Sequence, residues 1–174
     1  MARKVLILDT SILCVWLDIP GRNKIEKKGK DVIGKQEVES KIKAEINDGA
    51  RIVLPLASVI ECGNHITQIK GVDPKAYIDK FADFIIKSIN GTEPWDIFTN
   101  QSELFDERKF RELVEKWREL AISGISMGDA SIIQVAELYV SKNFTAEIFT
   151  GDTGLKSYEP APQREILPRN KNRR

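Results

Sequence analysis

Histidine and cysteine are scarce in this chain of 174 residues, which contains one histidine, His65, and two cysteines. Zinc sites built from several histidines, paired-histidine acid–base catalysis and HExxH proteases all need more histidine than this. Two cysteines are too few for a disulfide framework or a zinc cluster. Because Cys14 and Cys62 each lie in an apolar stretch, we expect two buried thiols. The 26 acidic residues are far more numerous, so carboxylates and a hard metal ion are the expected means of any chemistry.

Long uncharged runs are also missing. The longest, residues 52–60 and 120–128, contain nine residues each, whereas a membrane-spanning helix needs about 20. The N-terminus carries Asp9 inside what would be the apolar core of a signal peptide, and it has no small-residue cleavage pattern. We therefore expect a cytoplasmic protein that does not enter a membrane.

The net charge is only +1, but basic residues are concentrated in two segments. Residues 22–43 contain eight bases and four acids, and residues 164–174 contain five bases and one acid. Such segments beside a neutral body are typical of contact with a polyanion, although a solvated loop and a loose tail have the same composition. The candidates for phosphate contacts in the first segment are Arg22, Lys24, Lys27, Lys28 and Lys30.

Apolar runs and helical stripes alternate along the chain, which predicts an α/β fold with a parallel sheet. The predicted strands are residues 4–8, 52–56, 95–98 and 147–150. The predicted helices are residues 10–17, 35–47, 58–69, 74–88, 102–121 and 129–140. Residues 18–34 are predicted to form a charged loop. Residues 1–158 are expected to form one domain, and residues 159–174 a basic, proline-containing tail.

Four acids do not lie on the polar side of a predicted helix. Asp9 follows the run KVLIL, Glu61 interrupts an apolar helix, Asp129 stands between ISMG and ASIIQVA, and Asp152 follows IFTG. Helix capping could explain Asp9 and Asp129, and a turn could explain Asp152, but Glu61 has no comparable explanation. A carboxylate in apolar surroundings is costly unless it is paired, hydrogen-bonded or bound to metal. Oxygen ligands suit Mg²⁺ or Mn²⁺, and the carboxyl ends of parallel strands are where ligands bind. We therefore expect the four acids to converge there.

The segments around these acids resemble the PIN domain family. LILDTSIL, LASVIECGN, GDASIIQVAELY and FTGDTGL contain Asp, Glu, Asp and Asp in the order and approximate spacing of that family, and the match spans about residues 4–158. The resemblance implies a three-layer α/β/α fold with a central parallel sheet, and a PIN-like nuclease domain over residues 1–158. It also implies a metal-dependent nuclease, most often an endoribonuclease that hydrolyses RNA phosphodiester bonds.

The resemblance assigns a role to each matching residue. Asp9, Glu61, Asp129 and Asp152 would be the catalytic acids that hold Mg²⁺ or Mn²⁺. Ser11 and Thr150 would orient carboxylates or a water. Many small members of the family are toxins of bacterial toxin–antitoxin pairs, which implies an antitoxin protein as a partner. The chain departs from such toxins by its basic loop at residues 18–35, its tail, and the absence of a basic residue before Asp152.

Three further questions depend on this resemblance. Small PIN domains often pair, and the three tryptophans are more apolar surface than one small core obviously needs, so we expect a homodimer. Single-stranded DNA is an alternative substrate to RNA. The alternative function is a catalytically weak PIN-like module that binds RNA or protein, against which the retention of all four acids argues.

Overall fold

The helices and strands of this chain alternate over most of its length. The computed structural model describes residues 3–26, 32–91, 95–97 and 101–161. The strands are β1 (Arg3–Leu8), β2 (Ile25–Glu26), β3 (Val32–Ile33), β4 (Arg51–Val53), β5 (Trp95–Asp96) and β6 (Phe144–Phe149). The helices are α1 (Thr10–Trp16), α2 (Lys35–Asn47), α3 (Leu56–Thr67), α4 (Lys75–Ile89), α5 (Glu107–Leu120), α6 (Met127–Ser141) and α7 (Thr153–Lys156).

Four of the strands form one parallel sheet in the order β5-β4-β1-β6. The central strand β1 pairs with β4 on one side and β6 on the other, so that Leu6 lies between Ile52 and Glu147. Strands buried in the middle of a parallel sheet are apolar on both faces, which is why KVLIL is a continuous apolar run. The predicted α/β class with a parallel sheet is confirmed.

Alternate residues of β1 contact helices on opposite sides of the sheet. Leu6 and Leu8 belong to a buried cluster with residues of α1, α2, α3 and α4. Val5 and Ile7 belong to a second cluster with residues of α5 and α6. The sheet is thus flanked by helices on both faces. In the part of the chain that the structure describes, no helix combines the length and the apolar character needed to cross a bilayer.

Two of the three tryptophans pack at the larger cluster. The ring of Trp16 in α1 lies tilted, at 4.8 Å between ring centroids, against both Phe84 of α4 and Trp95 of β5. The rings of Phe84 and Trp95 meet edge to face at 5.1 Å. Trp117 packs partly buried against the second cluster. Trp16 and Trp95 therefore join α1, α4 and β5 within one chain, and the number of tryptophans gives no reason to expect a dimer.

The predicted loop over residues 18–34 contains a short antiparallel hairpin. Ile25 pairs with Ile33 and Glu26 with Val32, which makes β2 and β3. Ile25 and Ile33 are partly buried against the larger core cluster. Strands of two residues among charged neighbours leave no readable periodicity in the sequence, so composition alone predicted a loop.

The boundaries of several other elements also differ from the predictions; β6, for example, begins at Phe144, three residues before the predicted start. β4 ends at Val53, because Pro55 is the N-cap of α3 and the helix begins at Leu56. Ser58, the first residue of the predicted helix, lies inside α3, and its hydroxyl donates a hydrogen bond of 2.9 Å to the carbonyl of Leu8. The helix predicted over 102–121 is divided into a 3₁₀ turn, Ser102–Phe105, and α5, because Asp106 caps α5 by accepting from the backbone of Lys109.

Four charged side chains connect α2 to the sheet. Lys4 of β1 lies 2.6 Å from Glu45 and 2.7 Å from Glu147, and Lys41 lies 3.1 Å and 2.9 Å from the same two carboxylates. Burial alone would raise the pKa of Glu45 and Glu147, but the hydrogen bonds from the two lysines outweigh it and lower both values. The cluster therefore stabilises the folded state while the glutamates are ionised.

We predict that Glu147→Gln lowers the free energy of unfolding at pH 7 by about 1–2 kcal/mol. Because the folded pKa is depressed, this contribution is fully present above the unfolded glutamate pKa of about 4.3 and is lost as the pH falls through the lower folded value. Urea unfolding at a series of pH values from 7 to 3 should show wild type and variant converging in acid. Glu107→Gln, which breaks an exposed pair with Arg111, is the control and should change stability by less than about 0.5 kcal/mol. Equal effects of the two variants at pH 7 would contradict this account.

Candidate active site

A cleft of about 580 Å³ opens at the carboxyl edge of the sheet, and all four acids singled out from the sequence line it. Four structural elements bring them there. Asp9 directly follows β1, and β6 leads into Asp152. The second turn of α3 carries Glu61, and the first turn of α6 carries Asp129. The strands run parallel, so their carboxyl ends meet at one edge. This convergence is what the strand pattern predicted.

Asp9 is the deepest of the four acids and is only 7% exposed. Its Oδ2 atom accepts hydrogen bonds from the hydroxyls of Ser11 (2.7 Å) and Thr150 (2.8 Å), and its Oδ1 atom accepts from the backbone N–H of Thr10 (2.6 Å). Ser11 comes from α1 and Thr150 directly follows β6, so two parts of the chain restrain one carboxylate.

The pKa of Asp9 is raised above its ordinary range. Burial is the main cause, and the negative charge of Asp129 adds to it, while the hydrogen bonds from Ser11, Thr150 and Thr10 oppose the shift. The ionised carboxylate of Asp9 is thus held at a cost that a nearby positive charge would relieve.

Glu61 differs from the sequence-based expectation, because its side chain is 57% exposed and does not lie among apolar neighbours. On α3, Cys62 and Ile66 face the core, which places Glu61 on the side that borders the cleft. Its Oε2 atom accepts a hydrogen bond of 2.8 Å from Thr10, and its Oε1 atom lies 3.7 Å from Nε2 of His65. A contact between α1 and α3 therefore positions this acid.

Asp129 is the third residue of α6 and not its N-cap. The cap is Ser126, whose hydroxyl accepts from the backbone N–H of Asp129 (3.0 Å) and donates to the Oδ2 atom of Asp129 (2.7 Å). The same Oδ2 atom accepts from the backbone N–H of Ser126. This reciprocal capping box holds the carboxylate at the N-terminus of the helix, where the helix dipole favours negative charge.

Asp152 is the N-cap of the short helix α7. Its Oδ1 atom accepts from the backbone N–H groups of Gly154 (2.6 Å) and Leu155 (3.3 Å), and its own N–H donates to Thr150 (2.9 Å). The preceding residue is Gly151, and a Cβ atom there would come within 2.5 Å of the Ile25 side chain. The hairpin β2–β3 therefore packs directly on the loop that carries the fourth acid.

Basic residues line the cleft on the side of this hairpin. Arg22 and Lys24 both border it, and Lys24 pairs with Glu26 at 3.0 Å. The pKa of His65 is lowered. Burial is the main cause, the positive charge of Arg22 acts in the same direction, and the negative charge of Glu61 opposes both. The three other predicted phosphate ligands, Lys27, Lys28 and Lys30, lie outside the described residues, as does the tail beyond residue 161.

Four residues of the cleft with hydrogen-bonding side chains were missed by the sequence reasoning. Thr10 and Ser126 hold two of the acids, and Cys14 and His65 line the wall. Helical spacing could have indicated Cys14 and His65. Residues four positions apart lie on the same face of a helix, and Cys14 follows Thr10, and His65 follows Glu61, by four positions. Ser126 is readable as a capping residue three positions before an acid.

The four acids surround the cleft without meeting at one point. Within the described ranges, no group of three or more His, Cys, Asp or Glu side chains is arranged so that it could hold a metal ion.

Comparison of the sequence with models of known protein families gave no match, and comparison with curated proteins gave none either.

Proposed function

We propose that the cleft is the active site of a Mg²⁺- or Mn²⁺-dependent endoribonuclease with a PIN-like fold. The observation that carries the proposal is the assembly of Asp9, Glu61, Asp129 and Asp152 around one cleft that Arg22 also borders. Carboxylates attract a divalent cation, and a guanidinium attracts a phosphodiester, so the two halves of the cleft suit the two reactants. The motifs that resemble the PIN family contain these same acids.

The residues of the cleft fit a hard divalent cation. Its candidate donors are carboxylate oxygens, which Mg²⁺ and Mn²⁺ prefer. Mg²⁺ usually retains several waters and binds one or two carboxylates directly, so acids spread around a cleft suit it. Asp9 and Asp129, whose charges already repel each other, would bind directly, and Glu61 and Asp152 directly or through water. When bound, such an ion supplies a water of lowered pKa and positive charge beside the phosphorus.

The chain's own side chains position these groups. Ser11 and Thr150 leave Asp9 little freedom to rotate, because both donate to the same oxygen. Thr10 restrains Glu61, because its hydroxyl donates to one oxygen of that carboxylate. Pre-organised ligands of this kind lower the cost of binding, since little reorganisation remains to be done. The mechanism requires no side-chain nucleophile, which agrees with the scarcity of histidine and cysteine.

Arg22 and Lys24 would hold phosphates of the substrate. Contacts with phosphates position a nucleic acid without reading its sequence, and the same two side chains would serve RNA or single-stranded DNA. The role of a toxin, an antitoxin partner and the homodimer stay predictions of the resemblance.

We predict that Asp9→Asn and Asp129→Asn each reduce Mg²⁺- or Mn²⁺-dependent RNA cleavage by at least about 100-fold, because each removes a charged ligand. Without divalent ions, the stability of Asp9→Asn should equal or exceed that of wild type, since the substitution removes a buried charge and its repulsion. Cleavage of a labelled single-stranded RNA and urea unfolding would measure the two effects.

The control is Asp79→Asn, which makes the same change at an exposed pair with Lys75 on α4. It should cleave at the wild-type rate. Undiminished cleavage by both cleft variants would refute the proposed mechanism.

We also predict that neutralising Arg22 and Lys24 weakens RNA binding through charge alone. For single-stranded nucleic acid, the slope of log affinity against log salt changes by about 0.7 for each phosphate contact. Arg22→Gln should therefore reduce the slope by about 0.7, and the double variant with Lys24→Gln by about 1.4. Binding of a labelled RNA would be measured in the Asp9→Asn background, in which cleavage is suppressed.

The matched control is Lys75→Gln with Arg118→Gln, which removes two exposed, ion-paired bases away from the cleft. Its slope should equal that of the parent. If the two double variants have the same slope, the basic side of the cleft does not contact phosphates.

A further inference from the structure

The two cysteines of the chain meet between α1 and α3. Cys14 and Cys62 are free thiols whose Sγ atoms lie 3.6 Å apart, within hydrogen-bonding distance for sulfur. Their side chains are 1% and 0% exposed, and both belong to the same buried cluster. The sequence predicted two buried thiols, but it did not indicate that residues 48 positions apart along the chain form a pair.

The two thiols lie beside the proposed active site, on the two helices that carry Thr10 and Glu61. Cys14 lines the cleft and lies one helical turn after Thr10. Cys62 follows Glu61 directly in the chain and faces the core. The hydrogen bond from Thr10 to Glu61 thus spans the same two helices as the thiol pair. Any change in the distance between the sulfurs acts on the helices that position this acid.

We propose that Cys14 and Cys62 form a reversible disulfide on exposure to a peroxide, and that this bond switches the cleft to a less active state. A disulfide requires an S–S distance of about 2.05 Å, so the two sulfurs must approach each other by roughly 1.5 Å from their present separation. Directly packed helices permit this through a change of side-chain rotamer and a small shift of the backbone.

The chemistry assigns a different role to each thiol. Cys14 borders the cleft, so its sulfur attacks the peroxide, becomes a sulfenic acid and releases one water. Cys62 then attacks the sulfur of Cys14, the S–S bond forms and a second water leaves. Overall, two thiols and one hydrogen peroxide give one disulfide and two waters, and the two sulfurs supply the two electrons.

The position of the two thiols supports this order of attack. Cys14 borders the cleft, whereas Cys62 faces the core. The hydrogen bond with Cys62 lowers the pKa of Cys14 against the effect of burial; the positive charge of Arg22 acts in the same direction, and the negative charges of Glu61 and Asp9 oppose it. The thiolate is the attacking species.

The expected consequence for the cleft rests on the proposed function. The new bond moves α1 relative to α3, so Glu61 shifts relative to Asp9. Displacements of about 1 Å in an active site can reduce a rate by about 100-fold. We expect the oxidised protein to cleave RNA at least about tenfold more slowly than the reduced protein.

The test treats the full chain, purified in its reduced form, with hydrogen peroxide and then unfolds it in denaturant and blocks the remaining thiols by alkylation, because both thiols are buried in the folded protein. Mass spectrometry should find a peptide in which Cys14 is joined to Cys62, and a reducing agent should remove this link. RNA cleavage should fall with the appearance of the link and return on reduction. Cys62→Ala, whose fold is checked by circular dichroism, should cleave normally when reduced and form no link.

Alkylation of both thiols after peroxide treatment would overturn the proposal. A complete link with undiminished cleavage would overturn the switch. Mass spectrometry detects the link without any nuclease activity. If the reduced protein does not cleave RNA, the proposed function fails, while the presence or absence of the link still decides whether the pair is an oxidation site.

Discussion

The carboxylate of Asp9 is an ionisable group at the end of the central strand, where solvent has little access. An isolated buried charge would be costly, so the surrounding structure must supply hydrogen-bond donors. Three residues supply them: Thr10 and Ser11, which follow Asp9 in α1, and Thr150, which directly follows β6. The hydrogen bonds that this one carboxylate requires therefore fix the junction of β1, α1 and β6. The remaining acids of the cleft are positioned relative to that junction.

Each of the other three acids has its own local support. Thr10 holds Glu61, Ser126 holds Asp129, and the backbone of α7 holds Asp152. These supports lie in the first turns of helices or at their caps, where free N–H groups are available. The parallel sheet brings the helix starts to one edge, so local capping interactions add up to a cleft of concentrated negative charge. Such a cleft is unfavourable without a counter-charge, and a divalent cation is the simplest one.

The sequence was informative where a feature depends on local order. The run before Asp9 predicts a buried strand, and the carboxyl ends of parallel strands meet, so the convergence of Asp9 with Asp152 followed from pattern alone. Glu61 was expected among apolar neighbours, but on α3 the residues that face the core are Cys62 and Ile66, and Glu61 borders the cleft. Adjacent residues of a helix point in different directions, so apolar neighbours in the sequence do not imply burial. The strands of the hairpin β2–β3 are too short to show an alternating pattern of polar and apolar residues. The contact between Cys14 and Cys62 depends on how α1 packs on α3, which no local pattern encodes.

The central claim is that this cleft binds a divalent cation through Asp9 and its neighbours. Calorimetric titration of the reduced full chain with Mn²⁺ tests it most directly, because the measurement requires no substrate. The account predicts saturable binding of one or two ions, with affinity reduced at least about tenfold by Asp9→Asn and unchanged by Asp79→Asn. A wild-type protein that binds no Mn²⁺, or one whose affinity is the same in both variants, would contradict it and would favour a module that binds RNA or protein without catalysis.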